Sequence, residues 1–360
     1  MVSKLTFLQR LTYILFSIGS IIGIIYIGQD IIIPIAFAVL LSVLLLPINN
    51  FLEQKKVPRV LSIIISLFIS LLLISTVIYF LAFQIASFMD DLPAIKAQLQ
   101  THFHNFQNWL YLKINLTPTK QVQMINNASQ KMKDEGNNFL GQLISNTTQS
   151  LTSLILLPIY SFLILYYRTL IRSFLINVFK SSHEKKVVDV MAESKTIVQS
   201  YMTGLLIELA IVAAINATGF LLFGIKYAIF LGLLSAILNL IPYIGMLIAS
   251  IFCMLITLTT STNIMDVIWV LVILTVVQFI DNNIIMPKVV SSKVKINALL
   301  SIIAVLVGGA VAGVSGMFLS IPALAILKAI FDRVDNLKPW GMLLGDDISG
   351  KSRRKFLKLK

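Results

Sequence analysis

The sequence predicts an all-α, polytopic membrane protein. About eight membrane helical segments and one extramembrane helical module are expected. Three observations carry this. Of 360 residues, 57% are hydrophobic and only 12% are charged, with a mean hydropathy of +0.89. Several apolar runs exceed the roughly 18 residues that signal a spanning helix. The Lys and Arg behind the net charge of +13 cluster beside those runs. That placement reads as a topology signal and not as a nucleic-acid footprint, so the expected partner is the lipid bilayer. The single cysteine, Cys253, lies inside an apolar run and excludes an internal disulfide.

The N-terminal unit, 1–88, holds three spans, at about Leu11–Gly28, Ile31–Leu52 and Val60–Phe88. The first lacks a small-residue cleavage site and reads as a retained span. Lys4, Arg10, Lys55, Lys56 and Arg59 place the N-terminus and the second loop in the cytoplasm. The third span is long enough to tilt or to project from the bilayer. Residues 89–150 form a polar module on the opposite face. In it Leu92, Ile95, Leu99, Phe103, Phe106 and Leu110 recur at helical spacing. His102 and His104 lie two apart, off a common helix face, and read as surface residues, so no metal site is expected. In 151–200 a fourth span, about Leu151–Tyr167, returns to the cytoplasm. Leu170, Phe174, Val178, Val187, Val190 and Ile197 then suggest interfacial helices. A fifth span, about Tyr201–Phe223, opens the unit 201–335. The basic tail 336–360, with Lys351, Arg353, Arg354, Lys355, Lys358 and Lys360, is cytoplasmic.

The unit 201–335 holds the expected working part. The apolar stretch Tyr227–Thr257 is interrupted by Asn239-Leu-Ile-Pro242-Tyr-Ile-Gly245. The stretch Asn297–Ile330 is interrupted by a series containing Gly308, Gly309, Gly313 and Gly316, then by Ser320-Ile-Pro322. Irregular backbone at membrane depth is tolerated only where it is buried in protein or lines a cavity. Broken segments of this kind point to a transport site. Two topologies are open. Eight single crossings would put Lys288, Lys293 and Lys295 outside. Six full spans plus two re-entrant hairpins put those lysines inside, and the charge pattern favours this second topology.

Glu208 is the only acidic residue well inside an apolar span. A charge at that depth costs at least a few kcal/mol and faces a cavity or a partner, here either a transport pathway or a lysine such as Lys195. On a helix, Tyr201, Gly204, Glu208, Val212, Ile215 and Gly219 share one face, with Asn216 at its edge. Asp281, Asn282 and Asn283 follow an apolar run. Their oxygens suit a monovalent cation or a hydroxylated solute, or else they form a polar helix end. Pro242 and Pro287 free carbonyls upstream, and Asn239 or Tyr243 would line the cavity so formed. Gly309 and Gly313 have the small-xxx-small spacing of helix packing. The chain has no phosphate-cradling loop, HExxH, GxSxG or Cys/His cluster, so neither ATP-driven transport nor an enzyme is expected, and no cofactor.

The segment Asn239-Leu-Ile-Pro242-Tyr-Ile-Gly245, the run Asp281-Asn282-Asn283 leading to Pro287-Lys288, and the series Gly308-Gly309, Gly313, Gly316, Ile321-Pro322 resemble the autoinducer-2 exporter family of bacterial membrane proteins. The likeness is specific over about Tyr201–Asp335 and follows the layout of nearly the whole chain. It implies a homo-oligomeric, multi-pass secondary transporter of the inner (cytoplasmic) membrane that exports a small hydrophilic metabolite such as autoinducer-2. Some members of that family are described as sodium(lithium)/proton antiporters, which would make an intramembrane carboxylate indispensable. A passive oligomeric channel or a scaffold is the reading without coupling.

Overall fold

The computed structural model describes residues 7–91, 155–179, 184–242, 244–289 and 296–346. The expectations for Lys4, most of the module 89–150 with His102 and His104, Tyr243, Lys293 and Lys295, and the tail from Lys351 to Lys360 lie outside the described residues.

The protein is a polytopic helical membrane protein. Helices α1 (Phe7–Ile27), α2 (Gln29–Gln54) and α3 (Arg59–Asp90) form the N-terminal unit. Their outer faces are apolar and open, as at Phe16, Leu73 and Phe83, because this surface meets acyl chains and not water. Small polar residues join these helices: between α2 and α4 (Ile155–Tyr166) Ser42 Oγ donates to Ser161 O at 3.3 Å, and between α3 and α2 Ser62 Oγ donates to Asn49 Oδ1 at 3.1 Å. Small side chains let helices approach where no hydrophobic effect draws them together. α5 (Arg168–Val178) leaves α4 at 66°.

α6 (Glu184–Leu222) is one helix of 39 residues, about 58 Å long. The expected boundary between interfacial helices and a fifth span near Tyr201 therefore falls inside a continuous helix. No Gly or Pro occurs between Glu184 and Thr203, so nothing stops the backbone ladder there. Its buried stripe is Val198, Tyr201, Gly204, Leu205, Glu208, Val212, Asn216 and Phe220.

Two helical hairpins pack on α6. In the first, α7 (Ala228–Asn239) and α8 (Gly245–Thr260) run back on each other. Cys253 Sγ donates to Leu231 O at 3.8 Å, which pairs residues symmetric about Pro242. Gly245 sits against Leu238 and Asn239, where any Cβ would overlap the backbone. α7 presses on α6 at Gly232, where a Cβ would lie 2.8 Å from Ala217 Cα. One helical turn away Asn216 Nδ2 donates to Ser235 Oγ at 2.9 Å.

α9 (Ile264–Ile280) follows. The second hairpin is α10 (Ala298–Arg333), long and apolar enough to span, but reversed at Ala312 and Gly313. Gly313 has φ 59° and ψ −145°. Ser320 Oγ donates to Ala304 O at 2.8 Å, a contact that a straight helix would place about 24 Å apart. Gly308 and Gly316 face each other where the arms touch, and Gly309 faces Met317. Of the four glycines expected to break or hinge the segment, only Gly313 turns the chain; the other three let the arms close. The second interruption expected at Ser320-Ile-Pro322 does not occur. The helix runs through Pro322, and the ladder bond lost there is offset by Ser320 and by Phe318 and Ile321 packing on α6. A short turn, Asp335–Leu337, and α11 (Lys338–Leu344) close the described chain, with Asn297 N–H donating to Leu344 O at 2.9 Å.

Ion pairs tie the ends of these elements. Asp91, just past α3, accepts from Lys226 and from Tyr227 before α7. Arg333, at the end of α10, reaches Glu193 at 2.6 Å and Asp189 at 3.4 Å on the first turns of α6. Asp335 bridges Lys186 and Lys338, at 2.6 Å each.

Candidate functional site

A cavity of about 680 Å³ opens where α6, the tip of the first hairpin, the end of α9 and both arms of the second hairpin meet. Its polar lining is Tyr201, Glu208, Asn239, Gln278, Asp281, Asn282 and Ser301; its apolar lining includes Leu205, Leu240, Met246, Met286 and Ile321.

Each polar group is brought there by a distinct piece of local chemistry. Glu208 belongs to the buried stripe of α6, two turns from Tyr201. Around Tyr201 and Leu205 pack Leu240 from the first hairpin, Val289 from the helical turn Met286–Val289 that continues beyond α9, and Phe318 and Ile321 from the second hairpin. That apolar cluster fixes one turn of α6 against all three neighbours, and the next turn carries Glu208.

Asp281 stands where α9 widens into the π-helical turn Asp281–Ile285, in which Met286 N–H donates to Asp281 O. The sequence explains the widening. Asn283 Nδ2 donates to Phe279 O at 2.7 Å, taking the carbonyl that an α-helix reserves for its own N–H. Pro287 has no N–H for the carbonyl of Asn283. The ladder shifts to the next spacing, and Asp281 turns inward, 2% exposed. Single π-turns within helices occur often at functional sites. Asn282 lies at the cavity rim and accepts from Gln278 Nε2 at 3.0 Å. Asn283 is exposed and spends its amide on the backbone, so it is not brought to the site.

Asn239 is the last residue of α7. The chain breaks directly after it, so its side chain is free to reach across, and Nδ2 donates to Asp281 Oδ2 at 3.1 Å. Glu208 is 7% exposed, and its carboxyl group lies within hydrogen-bonding reach of Asp281. The partner of Glu208 is thus Asp281 and not Lys195. Lys195 lies 13 residues away on the same helix, about 20 Å along its axis. One oxygen of each carboxyl, Glu208 Oε2 and Asp281 Oδ1, is buried without a hydrogen-bond donor among the described residues.

Two carboxylates this close repel unless a proton or a cation sits between them. Glu208, Asp281 and Asn239, all on the lining of this cavity, thus carry hard oxygen atoms of the type that ligate cations or accept hydrogen bonds. Tyr201, Glu208, Asn239 and Asp281, which the sequence picks out separately, all line this one cavity. Ser301, Met246 and Ile296 were not picked out from the sequence. Of these only Ser301, a polar residue on an otherwise apolar arm, carried a signal.

A family profile described as AI-2E family transporter matches residues 13–336. The chain is similar to YrrI of Bacillus subtilis (strain 168), 27% identical over 313 residues that cover 84% of this chain and 86% of that protein. It is similar to YueF of the same organism, 24% identical over 83% and 82% of the two chains. It is also similar to YhhT of Escherichia coli (strain K12), 22% identical over 92% and 94%. All three carry names that give them a candidate role in transport. With a match that runs from the first helix to the turn after the second hairpin, the chain belongs to the AI-2E transporter family.

Proposed function

We propose that this protein is a secondary transporter whose coupling site is the Glu208–Asp281 pair, exchanging protons against a monovalent cation such as sodium or lithium. The observation that carries this reading is the pair itself: two buried carboxyl groups within hydrogen-bonding reach, each with one oxygen left without a donor. A proton or a cation relieves the same repulsion, so the site can hold either but gains little from both. That competition is what an exchanger requires. Asn239 Nδ2 holds Asp281 in place and leaves its own oxygen for the cation. The tip of the first hairpin thereby senses what the site contains.

A second reading is supported by the size of the cavity. A volume of about 680 Å³ far exceeds the roughly 30 Å³ share of one water molecule, so it has room for a small hydrophilic metabolite. The family name points to autoinducer-2 as that cargo, exported with the carboxyl pair carrying the driving proton. In either case the protein acts as a homo-oligomer in the cytoplasmic membrane, with both termini in the cytoplasm.

The deciding experiment is proton flux in proteoliposomes loaded with a pH dye. After a sodium pulse, the wild-type protein moves protons, and Glu208→Gln and Asp281→Asn each abolish the movement. Absence of a sodium response from correctly assembled wild-type protein rules out cation exchange. The same vesicles are then scored for autoinducer-2 efflux under an imposed proton gradient.

A further inference from the structure

Far along the chain from the carboxyl pair, and apart from the cavity, the α2–α3 turn and α5 are joined into a second surface. α5 leaves α4 at 66°. With α4 along the bilayer normal, α5 runs within about 25° of the membrane plane. It carries two separate stripes. Leu170, Phe174 and Val178 recur every fourth residue and are 64%, 63% and 55% exposed. Arg168 and Arg172 form the other stripe. No residue of α5 is buried, so its apolar stripe is left uncovered among the described residues.

The basic stripe is anchored to the α2–α3 turn. Arg168 donates to Glu53 Oε2 at 2.5 Å and to Asn50 Oδ1 at 3.2 Å. From the turn, Arg59 donates to Leu165 O at 3.0 Å and to Thr169 Oγ1 at 3.1 Å. With the arginines at positions 168 and 59 so engaged, Lys55, Lys56 and Arg172 are left exposed beside them, and neither Lys56 nor Arg172 has an ion-pair partner among the described residues.

Lys56 adds a second observation. It closes α2 with φ 64° in the left-handed region. Its N–H donates to Glu53 O and the N–H of Val57 to Leu52 O, the two bonds of a Schellman turn. Glycine is the usual residue at that position because a side chain there is strained. The lysine at this position carries a backbone cost that glycine would remove.

We propose that the turn Lys55–Lys56 and helix α5 bind the phosphate headgroup of an anionic phospholipid, with the acyl chains along Leu170 and Phe174. Positive charge faces the headgroup layer and the apolar stripe faces the chains, which is the complementarity such a lipid needs.

Native mass spectrometry of the full chain in neutral detergent tests this with short-chain phosphatidylglycerol and phosphatidylcholine. Phosphatidylglycerol is expected to bind several-fold more tightly. Lys56→Gly and Arg172→Gln are each expected to weaken it about fivefold and to leave phosphatidylcholine unchanged. Lys56→Gly should melt no lower than wild type, since glycine takes φ 64° freely, and this separates lipid binding from folding. Millimolar inorganic phosphate should not displace the bound lipid. Equal retention of both lipids by the wild type, unchanged phosphatidylglycerol binding in the two variants, or complete displacement by phosphate would overturn the proposal.

Discussion

Gly313→Ala tests whether the second apolar stretch reverses or runs straight. Gly313 has φ 59° and ψ −145°, a region that essentially only glycine occupies. A Cβ built there meets nothing within 4 Å, so the substitution introduces no clash. The whole effect is backbone strain, of about 1–3 kcal/mol. In a continuous helix the same change would act in the opposite direction, because Ala is favoured over Gly in a helix interior by about 1 kcal/mol. The sign therefore distinguishes a hairpin from a span. The measurement is unfolding of the purified protein by SDS in mixed micelles, followed by far-ultraviolet circular dichroism, with the exposed Val314→Ala as control. A midpoint moved toward lower SDS in Gly313→Ala, with the control near wild type, supports the reversal. A midpoint moved toward higher SDS would refute it.

Gly308→Val drives a side chain into Ser320 and the Gly316 backbone where the hairpin arms touch, so about 1–3 kcal/mol of overpacking is expected; Gly19→Val, with open space around it, should leave the unfolding midpoint unchanged. Asp335 gives a pH prediction. Hydrogen bonds from Lys186 and Lys338 lower its pKa from an ordinary 3.8 to about 2. A carboxyl depressed in the folded state supports the fold above its unfolded pKa and loses that support as the pH falls through the folded one. The link between α6 and the turn after α10 should thus hold from neutral pH down to about pH 3 and open as the pH falls through about 2, read as a widening of a spin-label distance between the ends of α6 and α10. A distance that stays constant well below that folded pKa would contradict it. Transport in the Glu208→Gln and Asp281→Asn variants remains the direct test of the coupling site.

Much of the architecture is legible in the sequence because a bilayer enforces it. Hydrophobic length and the absence of charge mark spans. The break at Asn239–Gly245 is legible for the same reason, since Pro242 removes a donor that lipid cannot replace. Glu208 stands out as a lone carboxylate in an apolar helix. The glycine series was less legible. A glycine that turns the chain and a glycine that admits a neighbour look alike in sequence, and only the backbone angles at Gly313 and the close approach of Gly308 to Gly316 separate them.

What the sequence determined by itself is therefore the class of fold, the segments that break and the residue types that cannot be spent on lipid. The tertiary structure decided which of them meet. Glu208 and Asp281 lie 73 residues apart in the chain. Periodicity can place each on a helix face, but no local rule aims one face at the other. That depends on the π-turn that rotates Asp281 inward and on the apolar packing of both hairpins around Tyr201 and Leu205. It depends also on Asn239 ending its helix within 3.1 Å of a carboxylate on another. The site is a product of packing between elements, and such packing is a long-range energy that no single segment carries.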